Sequence, residues 1–321
     1  DVHDGYFYVL TNEGAPKYRL FRVPVQTPAR EKWVEVVGES EEAVLQDFSI
    51  VGDRLVLRFL KDAHSRIEIR DLDGTHPTEV DLPTMGTAYR VSGQPHHESA
   101  YITFESFTSP KQIYRVPVSS GETSIWSETE VPVDTSKIDV EQVWYESKDG
   151  TEVSMFIVHR KGMETDGETP FLMTGYGGFD VSYTPYFIET AIPWIEQGGG
   201  FAIPNLRGGG EYGEKWHRAG MLENKQNTFD DFISAAEYLV DEGYTSPDRL
   251  AIRGASNGGL LVGAVTTQRP DLYGAVVCGV PLRSRSGAAA AITAPAGRPR
   301  PRPSAAGRNR PPPRPPAGPA R

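Results

Sequence analysis

Apolar and polar positions alternate in short runs along residues 1–125, and the runs are broken by turn residues, which is the period-two signature of half-buried β-strands. Phe7-Tyr8-Val9-Leu10, Leu55-Val56-Leu57-Arg58-Phe59 and Ala100-Tyr101-Ile102-Thr103-Phe104 are each followed by a second run, at residues 20–23, 67–70 and 113–116. The second runs begin 47 and 46 residues apart, at 20, 67 and 113. A repeat in the forties with several strands per unit is the size of a β-propeller blade. An ordinary β-sandwich with accidental spacing is the alternative. Known propellers close with about four to eight blades, so three units lead us to expect a further portion ahead of Asp1.

The period changes after Trp126. Val143-Trp144-Tyr145-Glu146 and Val153-Ser154-Met155-Phe156-Ile157-Val158 read as a strand pair joined by the turn Lys148-Asp149-Gly150. Short apolar runs at 171–174, 201–204, 250–252 and 275–278 then alternate with helical stretches, which predicts a mostly parallel sheet covered on both faces. The clearest helix spans 228–242, where Phe229, Phe232, Ile233, Ala236, Leu239 and Val240 recur at helical spacing. Asn227 or Thr228 is expected to cap it and Gly243 to end it. Asp230 and Asp231 are expected in its first turn, as structural complements to the helix dipole.

Composition narrows the function classes. The formal charge of −10 divides unevenly: residues 283–321 carry nine Arg and no Lys or acid, leaving −19 for residues 1–282. An acidic body argues against nucleic-acid partners. Cys278 is the single cysteine, so no intrachain disulfide forms and a reducing, cytoplasmic setting is expected. No apolar run reaches membrane-spanning length. His96-His97, Asp71 and Asp73 read as loop residues rather than metal ligands, and no metal or cofactor is expected.

Candidate chemistry centres on Gly254-Ala255-Ser256-Asn257-Gly258-Gly259, between a strand and a helix. Small residues on both sides of a serine at a strand–turn–helix junction are the setting of a nucleophile elbow, with Ser256 as the nucleophile. The following helix points its N-terminus at that serine and favours developing negative charge there.

Three stretches together resemble the prolyl oligopeptidase family of serine peptidases: Gly175-Tyr176-Gly177-Gly178-Phe179, the run from Asn205 and Arg207 through Glu211 to Gly213, and the Ser256 elbow. That family joins a seven-bladed propeller to an α/β-hydrolase domain, and the resemblance covers most of residues 1–282. It implies an α/β-hydrolase fold, doubly wound with a mostly parallel sheet and incomplete here, preceded by a partial β-propeller. It also implies that Ser256 attacks the scissile carbonyl, that the Asn257 N–H and the Tyr176 phenol form the oxyanion hole, and that Phe179 and Leu282 line a proline-binding pocket. Arg207 and Glu211 are expected to anchor their loop by charged hydrogen bonds.

All seven histidines precede Ser256, whereas α/β-hydrolases run Ser, then Asp or Glu, then His, which puts His217 on the wrong side. The only carboxylate after Ser256 is Asp271, which reads as a structural turn. The expected organisation is a partial propeller of about three blades at 1–125, an incomplete catalytic domain at 126–282, and a disordered Arg/Pro/Ala-rich tail at 283–321 that shares nothing with the family and has the composition of a shifted reading frame. A basic arm and a Pro-rich ligand are the functional alternatives for the tail. The strand at 275–279 is expected to present an apolar edge prone to aggregation. The functional expectation is a serine endopeptidase acting on short proline-containing peptides and impaired as written, with its oligomeric state left open. The alternatives are a non-catalytic binding scaffold, a defunct fragment, or an esterase on the same fold.

Overall fold

The computed structural model describes residues 1–282; the expectations for the tail lie outside the described residues. Twelve strands make three four-stranded antiparallel sheets, each from four consecutive strands. The first holds β1 (Val2–His3), β2 (Tyr6–Thr11), β3 (Arg19–Pro24) and β4 (Val34–Val37). The second holds β5 (Val44–Val51), β6 (Arg54–Lys61), β7 (His64–Asp71) and β8 (Thr78–Val80). The third holds β9 (Thr87–Ser92), β10 (Ser99–Glu105), β11 (Gln112–Pro117) and β12 (Ser124–Ser127). The paired runs legible in the sequence are β2 with β3, β6 with β7, and β10 with β11.

Neighbouring sheets bury their apolar faces against each other. Tyr8, Leu20 and Val37 of the first sheet pack with Leu45, Leu55 and Phe59 of the second, and Val51, Ile69 and Val80 pack with Ala88, Ile102 and Phe104 of the third. A two-sheet sandwich trades strands between its sheets, whereas here each sheet is one uninterrupted meander and three stack in series, which is blade packing.

A six-stranded sheet follows, with β13 (Ile138–Glu146), β14 (Glu152–Arg160), β15 (Phe171–Thr174), β16 (Gly200–Pro204), β17 (Leu250–Ala255) and β18 (Ala275–Gly279) in the order β13-β14-β16-β15-β17-β18. The β13–β14 and β14–β16 pairs are antiparallel; β16–β15, β15–β17 and β17–β18 are parallel. The helices are the short α1 (Ile192–Glu196) and α2 (Glu214–Arg218), then α3 (Lys225–Asp241) and α4 (Asn257–Gln268). Strands β14 and β16 are buried on both faces, so they read as continuous runs rather than alternating ones. At the far edge β18 pairs only with β17 among the described residues, and Val276 and Val277 are exposed.

Helix α3 buries Phe232, Ala235, Ala236 and Leu239 at the expected spacing but starts three residues earlier than the sequence suggests. Neither Asn227 nor Thr228 caps it. Asn227 donates to the Ala219 carbonyl and Thr228 to the Arg207 carbonyl at 2.8 Å, so both side chains hold a neighbouring loop. Asp231 also departs from expectation. It lies in the second turn, is fully buried, and serves Arg207 rather than the helix dipole. Its carboxylate accepts from the Arg207 backbone N–H and Nε, both at 3.0 Å, from Nη2 at 2.6 Å, and from Ser147 Oγ at 2.6 Å. Asp149 completes the cage at 2.5 Å from Arg207 Nη1, and that bond holds its carboxyl down at about 2. Burial alone would pull the guanidinium pKa down, and the bonds from Asp231 and Asp149 outweigh it and hold it above its ordinary value.

The blades and the α/β layer touch directly. Ala63 and Phe107 join a core cluster with Phe156 and Ile188, Gln142 Nε2 donates to the Asp62 carbonyl at 2.7 Å, and the Glu214 N–H donates to the Pro16 carbonyl at 3.0 Å. Breaking a buried ion pair by removing one partner typically costs about 3–5 kcal/mol, so Asp231→Ala is expected to lower the stability to urea by that order. A loss below about 1 kcal/mol, the range of a surface pair, would show that Arg207 does not depend on it.

Candidate active site

Strand β17 delivers the chain into a sharp turn at Ser256, whose backbone sits at φ 56°, ψ −116°. A residue with a side chain rarely adopts that conformation, and holding it costs on the order of 1–3 kcal/mol. The fold holds it by hydrogen bonds on both sides. The Ser256 N–H donates to the Gly279 carbonyl at 3.1 Å, and the Ser256 carbonyl accepts from Leu260 at 3.1 Å and Leu282 at 3.2 Å. The glycines are required by space, since a Cβ on Gly254 would lie 2.1 Å from the Gly258 oxygen and one on Gly258 would lie 2.6 Å from the Gly175 oxygen. The result is a half-buried serine at the N-terminus of α4, as the motif predicts.

Asn257 opens α4, so its N–H has no carbonyl one turn back within the helix, and among the described residues nothing accepts from it. Its buried side chain donates from Nδ2 to the Tyr176 carbonyl at 2.5 Å, tying the loop after β15 to the elbow. The Tyr176 ring stands beside the elbow, with Cδ2 3.8 Å from where a Gly258 Cβ would be. Tyr176 is half-buried rather than a core aromatic.

The structure therefore joins Ser256, Asn257, Tyr176 and Leu282 through hydrogen bonds. Phe179 shares the Tyr176 loop but stands out from it, 67% exposed at φ 56°. Leu282 presents an exposed side chain next to the elbow.

The loop from Arg207 to Gly213 underlies the Tyr176 loop. Arg207 anchors it by charge, as expected, and Glu211 anchors it through the Tyr183 N–H. Burial pushes its carboxyl up to about 8, against the lowering effect of the Tyr183 N–H, which donates to Oε1 at 2.8 Å. Among the described residues its Oε2 is buried without a hydrogen-bond partner. His217 also holds this region. Its Nδ1 lies 2.8 Å from the Gly208 carbonyl and 3.1 Å from the Asp180 N–H, so the ring is engaged with both loops.

Lys225 escaped the sequence reading altogether. From the first residue of α3 its ammonium donates to the Gly177 carbonyl, and burial pulls its pKa down to about 8. A lysine just before an amphipathic pattern carries no local signal of such a role. Asp231 was visible as an acid, but its partner lies 24 residues away in sequence.

The raised pKa of Glu211 fixes a pH dependence. Its folded value of about 8 exceeds the ordinary 4.5. The stabilisation by the neutral carboxyl is thus complete below about 4.5 and lost as pH rises through 8. Glu211→Gln keeps a neutral acceptor for Tyr183, so denaturation midpoints between pH 6 and 9.5 should fall less steeply in the variant than in the parent. Parallel curves would rule the assignment out.

Comparison with known proteins agrees with this geometry. The model of the prolyl oligopeptidase N-terminal β-propeller domain matches residues 1–129, and that of the prolyl oligopeptidase family matches residues 185–289, past the boundary that composition suggests at 282. The prolyl endopeptidase of Elizabethkingia miricola is 39% identical over 280 residues, covering 87% of this chain and 39% of that protein. The prolyl endopeptidase of Dictyostelium discoideum is 38% identical over 292 residues, covering 87% and 38%. Among solved structures, one from a study of two prolyl endopeptidases superposes with a TM-score of 0.84 at 52% identity, over 88% of this chain and 42% of that one. Prolyl oligopeptidase B from Galerina marginata gives 0.81 at 34% identity, over 87% and 40%. The chain thus spans about two fifths of the length of the curated relatives it matches. With stacked four-stranded sheets, a hydrolase sheet and a strained serine at the head of α4, the chain belongs to the prolyl oligopeptidase family.

Proposed function

We propose that the protein carrying this chain is a serine endopeptidase that cleaves short peptides on the carboxyl side of proline through an acyl-enzyme on Ser256. The observation that carries this reading is the Ser256 backbone, strained at φ 56° at the N-terminus of α4 with the Tyr176 loop tied to it by Asn257. In this reading Ser256 Oγ bonds to the scissile carbonyl carbon as its proton passes to a base. The carbonyl oxygen takes up negative charge facing the Asn257 N–H and the Tyr176 hydroxyl, and the amine then leaves with a proton. Phe179 and Leu282 are apolar and exposed, which suits contact with a proline ring. Residues 1–125 serve as part of a propeller that restricts access, and 126–282 as the catalytic part. The names of the prolyl endopeptidase relatives support the proline preference. A cytoplasmic setting belongs to the same proposal; among the described residues no helix is long and apolar enough to cross a membrane.

One observation favours a second reading, a peptide-binding scaffold without turnover. His217 Nδ1 is engaged by the Gly208 carbonyl at 2.8 Å and the Asp180 N–H at 3.1 Å, so this histidine holds loops rather than reaching Ser256. A fluorophosphonate probe and a glycyl-prolyl amide substrate separate the two. The peptidase reading expects labelling at Ser256 that disappears in Ser256→Ala. It also expects Tyr176→Phe to lower kcat by about 10²–10³-fold, the usual effect of losing one oxyanion donor. Folded protein that binds proline-containing peptides yet neither labels nor turns over would establish the scaffold.

A further inference from the structure

The turn that carries Tyr176 closes on a carbonyl, that of Gly177, which has no backbone partner among the described residues. Gly177 is buried at φ 57°, and a Cβ there would lie 2.2 Å from Thr228 Cγ2, so the turn presses against the start of α3. Its carbonyl oxygen faces Gly208, where a Cβ would come within 2.6 Å of it, which leaves no room for a side chain on that side. Among the described residues a single group donates to that oxygen, the Lys225 ammonium. Lys225 reaches it from a half-buried position with Thr228 Oγ1 3.4 Å from Nζ and the Phe229 ring 5.9 Å away. An unpartnered buried carbonyl is costly, and charged donors make the stronger bonds. The carbonyl of the Gly177–Gly178 peptide, one residue beyond Tyr176, therefore depends on this one ion–dipole contact.

We propose that Lys225 is a positioning residue for Tyr176: by holding the Gly177 carbonyl it fixes the turn that aims the Tyr176 hydroxyl at the space beside Ser256. Two side chains then flank Tyr176, with Asn257 holding its own carbonyl and Lys225 holding the next. The first belongs to α4 and the second to α3, so the loop is registered against both helices that border the elbow. The proposal rests on the reading of Tyr176 as an oxyanion donor, but the clamp is measurable without catalysis.

Hydrogen–deuterium exchange on the full chain tests it. The reporters are the amides of Asp180, Val181 and Tyr183, which donate to the Gly208 carbonyl, the Gly178 carbonyl and the Glu211 carboxyl. Lys225→Met keeps the aliphatic stem and removes the donor. Peptides spanning residues 176–183 should then exchange about tenfold or more faster, as expected when a local opening loses its main restraint. Lys225→Arg should restore protection to near the parent rate, and peptides from β5 to β7 should not change. Unchanged exchange in Lys225→Met overturns the proposal, as does equal loss in the Arg variant, which would assign Lys225 a packing role only. Should Lys225→Met exchange fast everywhere, Lys225→Gln is read on the same reporters by the same criteria. A confirmed clamp together with unaltered kcat in Tyr176→Phe would reject the donor reading of Tyr176 and leave the clamp standing.

Discussion

Arg207 is buried in the α/β layer with a full positive charge, and much of the site's geometry follows from how that charge is satisfied. Asp231 from the middle of α3 meets the backbone N–H, Nε and Nη2, while Asp149 from the β13–β14 turn takes Nη1. One side chain thereby locks together a strand turn, a helix and a glycine-rich loop. A buried charge without its partners costs several kcal/mol, so these three elements are held to one arrangement. The adjoining residues inherit it: Thr228 holds the Arg207 carbonyl, and Gly208 lies under Gly177.

Positioning then passes upward in layers. The loop beginning at Arg207 supports the loop that carries Tyr176 and Phe179, through Glu211 to Tyr183 and through Gly208 to Asp180. That upper loop is in turn tied to the elbow by Asn257 and to α3 by Lys225. Ser256 is strained, and strain at one residue persists only where its surroundings over-determine it. Hydrogen bonds from Leu260 and Leu282, one to Gly279 and the absence of Cβ atoms at Gly254 and Gly258 supply that over-determination. Rigid placement matters because a donor stabilises an oxyanion only when it already points at the place where charge develops.

The ionisable groups that hold the site fall into two kinds. Arg207 and its two carboxylates are charged and mutually satisfied, which makes a rigid base. Glu211 is buried and Lys225 half-buried, neither with an opposite charge in hydrogen-bond contact among the described residues, and desolvation drives the acid up and the base down until both lie near 8. The two therefore touch the upper loop by contacts whose strength varies with pH.

Local pattern determined a good deal of this protein. Period-two alternation located β2, β3, β6, β7, β10 and β11, because a half-buried strand must alternate. The small residues around Ser256 announced the elbow, because only glycine tolerates the approach of the Gly258 and Gly175 oxygens. The outer strands β4, β8 and β12 and the true start of α3 were not legible, since short edge strands and a polar first turn have no apolar period to display. The roles of Asp231, Glu211 and Lys225 were decided by tertiary structure alone. An acid or a lysine reads the same in a sequence whether it faces water or a buried partner, and only folding brings Asp231 to Arg207 and Lys225 to Gly177 across 24 and 48 residues of chain.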